Sequence, residues 1–97
     1  MFELEWAEEA QRIYGVLKND ASQSKRYKAI QNTIRFLAAN PRHNSLQTHE
    51  YVNLMGPRGE KGFEAYADQK TPTAYRVFWY YGPGQGAITI FAITHHP

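Results

Sequence analysis

The chain has 97 residues, of which 42% are apolar and 14% aromatic, and it carries 11 Lys or Arg against 9 Asp or Glu. This length supports one hydrophobic core, so we expect a single domain over residues 1–97. The absence of cysteine excludes disulfides and thiolate metal sites. No apolar run approaches the ~18 residues of a membrane span, and the acidic start MFELEWAEEA is unlike a secretory signal. We therefore expect a cytoplasmic protein.

The first part of the chain predicts one strand and two helices. FELEW alternates apolar and acidic residues, which is typical of a half-buried strand. AEEAQRIYGVLKND has apolar residues at helical spacing. A second helix is predicted to begin with Ser22 or Ser24 as its N-cap and to end near Ala39, before Asn40-Pro41. The short connection predicts an antiparallel helical hairpin.

The second part of the chain predicts strands. Residues 41–62 show no sustained period, so we expect an irregular segment that ends in the turn GPRGEKG. FEAYA, AYRVFWYY and AITIFAIT read as strands, and GPGQG joins the last two. The order strand, helix, helix, strand, strand, strand predicts an α+β fold, with an antiparallel sheet packed against an N-terminal helical hairpin.

Arg76 is the only residue in 71–97 whose side chain has a formal charge. A guanidinium in a strand can bind phosphate through two parallel hydrogen bonds. It can equally reach solvent along its apolar stem or pair with Glu64 on the neighbouring strand. The sequence leaves both interpretations open.

The last predicted strand ends in His95, His96 and a proline. These histidines are either a frayed tail or proton-transfer groups. Centring the last turn on Gly84 pairs Arg76 with Ala92 and places His96 on the same face, roughly 13 Å away. A slip of one residue brings His95 there instead. An arginine and a histidine suffice in principle to cut RNA without metal, because the 2′-hydroxyl supplies the nucleophile.

Several basic and aromatic residues are candidates for RNA contacts. The stretch between Asp20 and Glu50 is basic and lacks acids, which indicates either a solvated helix face or a phosphate-binding surface. Tyr81 follows two other aromatic residues and either stacks on bases or packs. The predicted RNA-binding residues are Lys25, Lys28, Arg35, Arg42, His43, His49, Arg58, Lys61 and Tyr81.

The four histidines do not follow a zinc-binding spacing such as HExxH. We therefore expect no metal and no cofactor. His43 and His49 are interpreted either as hydrogen-bonding loop residues or as RNA contacts.

The order of elements, the segment NPRH-SL-TH, the strand YRVFWYY and the ending ITIFAITHHP together resemble the RelE/ParE toxin superfamily, closest to its RelE, YoeB and HigB endoribonucleases. The resemblance covers nearly the whole chain. It implies a toxin of a type II toxin–antitoxin system that cuts ribosome-associated mRNA and inhibits translation. The implied partners are a cognate antitoxin, mRNA and the ribosome, while the oligomeric state is not predicted.

The resemblance also implies catalytic roles. Arg76 stabilises the transition state, His96 acts as general acid with His95 as the alternative, and Glu64 acts as base. For the activation of the 2′-hydroxyl, His49 is the alternative to Glu64. Glu64 and Tyr66 stand where RelE carries lysines. Two other functions are compatible with the resemblance: a ParE-like toxin that acts on gyrase without hydrolysis, and a non-toxic interaction module.

Overall fold

The structure is a computed structural model that describes residues 1–67 and 75–95, with His95 described by its backbone alone. The described elements, in chain order, are β1 (Glu3–Trp6), α1 (Glu8–Lys18), α2 (Ser24–Ala39), β2 (His49–Met55), β3 (Lys61–Tyr66), β4 (Tyr75–Tyr81) and β5 (Ala87–His95). Short 3₁₀ turns at Ala21–Gln23 and Asn44–Leu46 precede α2 and β2. The predicted α+β class is confirmed. Neither described helix is long and apolar enough to cross a bilayer.

The five described strands form one sheet in the order β1-β5-β4-β3-β2. Strands β2 to β5 form an antiparallel meander, and β1 joins its edge parallel to β5. The sheet is therefore mixed, where the sequence predicted a wholly antiparallel one. A parallel pair needs a long connection between its strands. The helices and strands β2 to β4 provide it between β1 and β5.

Strand β2 lies in the segment that was expected to be irregular, and that prediction is wrong. Its pairing with β3 shifts register between Glu50 and Met55. The two half-buried residues of β2, Tyr51 and Leu54, are consequently three positions apart rather than two. This irregularity removes the alternation by which a strand is recognised in sequence.

Helix α2 begins at Ser24, directly after the 3₁₀ turn Ala21–Gln23, and the side-chain cap in this region belongs to that turn. The carboxylate of Asp20 accepts a hydrogen bond from the backbone N–H of Ser22 at 3.0 Å. Gln23 is the N-cap of α2 and makes no side-chain cap. The prediction that a serine caps this helix is therefore wrong, because Asp20 caps the preceding turn instead.

Both helices pack against one face of the sheet and enclose the hydrophobic core. The largest fully buried side chains are Trp79, Ile30, Leu37, Leu46, Ile88, Ile90 and Val77. Because side chains alternate along a strand, Arg76, Phe78 and Tyr80 lie on the opposite face of β4, which we call the helix-free face.

The helix-free face carries its own layer of aromatic rings. Phe78 and Tyr80 are buried although no helix covers them. The ring of Tyr51 lies edge-on to Phe78 at 5.2 Å, and the ring of Phe91 lies 6.3 Å from Phe78 and 5.5 Å from Tyr80. These rings exclude water from the middle of the helix-free face.

A β-bulge in β5 places Phe91 in this layer. The ladder pairs Trp79 with Ile90 and Phe78 with Ala92, so Phe91 is an extra residue in β5. In such a bulge two successive side chains point to the same side of the sheet. Phe91 and Ala92 therefore both face away from the helices, while Ile90 stays in the core.

The bulge also changes the partner of the strand arginine. The prediction that Arg76 faces Ala92 is wrong, since its partner is Thr94. The turn before β5 closes through a hydrogen bond from the Gly82 N–H to the Ala87 carbonyl. The turn shifts the pairing of β4 with β5 by one residue from the predicted register. The bulge at Phe91 shifts it by one residue more, which brings Thr94 opposite Arg76.

Candidate functional site

Glu64 is the centre of the candidate site. It lies in β3 on the helix-free face, and only 3% of its side chain is exposed. A buried carboxylate is unfavourable unless hydrogen-bond donors or cations surround it. Three side chains from three strands contact it, as the following paragraphs describe.

The first of these side chains is Arg76 in β4. Its Nη1 lies 2.9 Å from Oε2 of Glu64, and 14% of its side chain is exposed. The guanidinium carbon lies 5.2 Å from the ring centre of Phe78 and 6.0 Å from that of Tyr51, within the range of cation–π attraction. Of the two interpretations of Arg76 from sequence, the structure shows the ion pair with Glu64.

The second side chain is His49, at the start of β2 and directly opposite Glu64 in the ladder. Its Nε2 contacts Oε1 of Glu64. Its Nδ1 lies 3.1 Å from the carbonyl oxygen of Gln47, which can only accept a hydrogen bond, so Nδ1 is the donor in this contact. The ring is thus fixed in one orientation, while half of the side chain remains exposed. The side chain of His49 is therefore more exposed than those of Glu64 and Arg76.

The third side chain is Tyr66, whose hydroxyl donates to Oε1 of Glu64 at 3.2 Å. Burial raises the pKa of the Tyr66 phenol, and the nearby charge of Glu64 raises it further while Arg76 opposes this. The phenol therefore stays protonated at neutral pH and remains a hydrogen-bond donor. Its ring lies 5.8 Å from the ring of His49.

We call Glu64, Arg76, His49 and Tyr66 the Glu64 cluster. The structure thus brings together three of the residues singled out from sequence, Glu64, Arg76 and His49. Tyr66 was missed as a contributor to the site, although it stands two residues after Glu64 and alternation alone places both on one face. The buried Nε of Arg76 has no hydrogen-bond partner within the described residues.

The predicted general acid lies outside the described part of the chain. His96 is not among the described residues. For His95, the backbone pairs with Tyr75 in the β4–β5 ladder. The roles assigned to these two histidines therefore stay predictions.

The remaining predicted RNA-binding residues are spread over α2, the loop after it, the β2–β3 turn, the start of β3 and the end of β4. The exposed ones are Lys25, Lys28, Arg35, Arg42, Arg58, Lys61 and Tyr81. His43 is half-buried, and its ring stacks on Phe36 at 4.5 Å. Trp79 and Tyr80 are buried, so Tyr81 is the exposed ring of that triplet.

Metal ligation is not indicated by the described side chains. Within residues 1–67 and 75–95, no three His, Asp or Glu side chains lie together as metal ligands do. The acidic member of the Glu64 cluster is instead surrounded by hydrogen-bond donors.

One solved structure is similar over almost the whole chain. The YoeB/ParE toxin from Agrobacterium tumefaciens aligns with a TM-score of 0.70, over 98% of this chain and 99% of that chain, at 12% identity. This chain has the fold of a YoeB/ParE toxin. Comparison with family models and with curated proteins finds no match. The fold that the resemblance implied is therefore confirmed, except that β1 pairs parallel to β5.

Proposed function

We propose that this chain is the toxin of a type II toxin–antitoxin system and that it cuts RNA without a metal ion. The observation that supports this most is the Glu64 cluster. It combines a half-exposed imidazole and a guanidinium around one buried carboxylate, on the helix-free face of a toxin fold. These are groups that can move a proton and stabilise negative charge at one place.

In the proposed reaction, the 2′-hydroxyl attacks the adjacent phosphorus and the bond from phosphorus to the 5′-oxygen breaks. In this structure the Gln47 carbonyl holds Nδ1 of His49 and Glu64 contacts Nε2, so the 2′-hydroxyl displaces Glu64 from Nε2 before that nitrogen takes its proton. Glu64 is too buried to reach the substrate directly, and it stabilises the imidazolium that forms. His49 is therefore the proposed base, and Glu64 is a positioning residue.

The other half of the reaction needs charge stabilisation and an acid. Arg76 supplies positive charge to the phosphorane through its exposed part. His96, with His95 as the alternative, donates a proton to the leaving 5′-oxygen. The products are a 2′,3′-cyclic phosphate and a 5′-hydroxyl, and all protons are accounted for between the two histidines.

The proposed partners follow from the same function. The exposed cations on α2 and on the β2–β3 turn bind the RNA backbone, and this positions the strand without reading its sequence. The substrate is mRNA on the ribosome, and cleavage inhibits translation. A cognate antitoxin covers this basic surface and prevents cleavage.

Inducing the chain alone in bacteria tests the proposal. We expect growth arrest with cleaved messages, relieved by His49→Ala, Arg76→Lys and His96→Ala. Arg12→Ala is the control, because Arg12 pairs with Glu9 on the surface of α1. Arrest with intact messages and a DNA-damage response would overturn the proposal in favour of action on gyrase. Unimpaired growth would overturn it in favour of an interaction module.

A further inference from the structure

A small hollow lies next to the Glu64 cluster, between α2 and the 3₁₀ turn Asn44–Leu46. Its volume is about 240 Å³; residues of α2 form most of its wall, and Tyr66 of β3 completes it at the edge of the sheet. The hydroxyl of the same tyrosine donates to Glu64. The hollow and the candidate active site therefore share one residue, Tyr66.

The wall of this hollow offers an aromatic ring and an amide. Phe36 is 41% exposed, and its ring already stacks on His43 at an interplanar angle of 28°. Asn32, one helical turn earlier on α2, is exposed, and its amide makes no hydrogen bond to the residues that the structure describes. By contrast, the hydroxyl of Thr33 donates to the carbonyl of Ala29 within the helix. Asn32 is thus the polar group best placed to read a ligand.

Exposed cations lie on the same stretch of α2. Lys28 precedes Asn32 by four residues and Arg35 follows it by three, so all three lie along one side of the helix. Arg35 also lines a neighbouring hollow of about 420 Å³, which shares Asn32 and Phe36 with the smaller one. A ligand in the smaller hollow therefore lies beside positive charge, as a base attached to a phosphate backbone requires.

We propose that the smaller hollow binds one nucleobase of the RNA and that Asn32 makes it prefer adenine. Single-stranded RNA is recognised by unstacked bases that lie on aromatic rings and hydrogen-bond along their edges. An amide offers one donor and one acceptor, which match the N7 and N6 groups of adenine. The hollow is smaller than the ~300–1,000 Å³ of pockets for larger ligands, which suits a single flat base.

This inference rests on the proposed function for its substrate, but base binding can be measured without cleavage. Isotope-labelled protein is titrated with AMP and with UMP while backbone amide shifts are followed. We expect shifts at Asn32, Phe36 and Ser45, and about tenfold tighter binding of AMP, as one two-point base contact provides. Asn32→Ala should abolish the preference, and Phe36→Leu should weaken both nucleotides.

Gln11→Ala is the matched control, since Gln11 is an exposed amide near the start of α1. It should bind both nucleotides as the parent does. Equal binding of AMP and UMP, or shifts confined to other surfaces, would overturn the base-site inference even if the chain cuts RNA. Selective AMP binding by a chain that cuts no RNA would sustain the base site and overturn the nuclease.

Discussion

Glu64 and Arg76 form an ion pair across β3 and β4, with 2.9 Å between Oε2 and Nη1. Both side chains are largely buried, at 3% and 14% exposure. His49 and Tyr66 contact the other oxygen of the same carboxylate. Loss of Glu64 would leave the Arg76 cation without its anion in a poorly hydrated place, so the pair matters for folding as well as for any chemistry.

Glu64→Gln should therefore destabilise the protein strongly. Breaking a buried ion pair by removing one partner typically costs about 3–5 kcal/mol. Urea denaturation of the parent and the variant measures this difference. The matched control is Glu9→Gln, because Glu9 pairs with Arg12 on the exposed surface of α1 and such pairs contribute little. Similar losses in the two variants would contradict the structural importance of the Glu64–Arg76 pair.

Much of the fold could be predicted from the sequence. The spacing of apolar residues and the composition correctly indicated β1, both helices and the strands that flank the last turn. Residues 49–55 could not be recognised as a strand, because the register shift in β2 breaks their alternation. The partner of Arg76 could not be predicted either, because nothing in AITIFAIT distinguishes a regular strand from one with Phe91 bulged.

The candidate site was only partly predictable for a related reason. The pairing of Arg76 with Glu64 follows from their places on neighbouring strands, and it was one of two interpretations. His49 could join them only if β2 is a strand beside β3, and this was not predicted. Asn32 and Tyr66 line the same hollow because of how α2 packs against the rest of the fold. The sequence around either residue does not predict this packing.

Deleting Phe91 should leave the fold and the partner of Arg76 intact. Without the extra residue, β5 becomes a regular strand and Arg76 still faces Thr94. We expect a loss of about 1–2 kcal/mol, from the removed ring that covers part of the helix-free face. Urea denaturation gives the stability, and cross-strand proton contacts between Arg76 and Thr94 report the register.

Deleting Ile93 provides the comparison, because this residue lies in the core after the bulge. The bulge can absorb this deletion, but Ala92 then takes the core position of Ile93 opposite Val77 and leaves a cavity. We expect that variant to lose about 2–5 kcal/mol, as large-to-small changes in a core do. If removing Phe91 is as damaging as removing Ile93, the assignment of the bulge is incorrect.

The cap at Asp20 should make stability depend on pH in the acid range. The hydrogen bonds from the Ser22 hydroxyl and backbone N–H lower the pKa of Asp20. A lowered pKa in the folded state adds stability above the usual pKa of Asp, about 3.9, and this stability is lost as the pH falls through the lowered value. Asp20→Ala should therefore lower the midpoint of thermal unfolding at neutral pH.

The difference between Asp20→Ala and the parent should shrink as the pH approaches the lowered pKa. Asp20→Asn is the control, because its amide oxygen can still accept the two hydrogen bonds but does not titrate in this range. It should lose less than the alanine variant at neutral pH. A difference between parent and Asp20→Ala that is the same at all pH values would show that the carboxylate charge does not contribute.

The chemistry of the new RNA ends is the most direct test of whether the Glu64 cluster cuts RNA. The purified chain is incubated with mRNA on translating ribosomes, and the 3′ ends of the fragments are analysed. We predict 2′,3′-cyclic phosphates, no cleavage where the scissile 2′-hydroxyl is methylated, and a loss of about 100-fold or more in rate for folded His49→Ala. Cleavage by His49→Ala at the parental rate, or cleavage of the methylated RNA, would contradict the role assigned to this cluster.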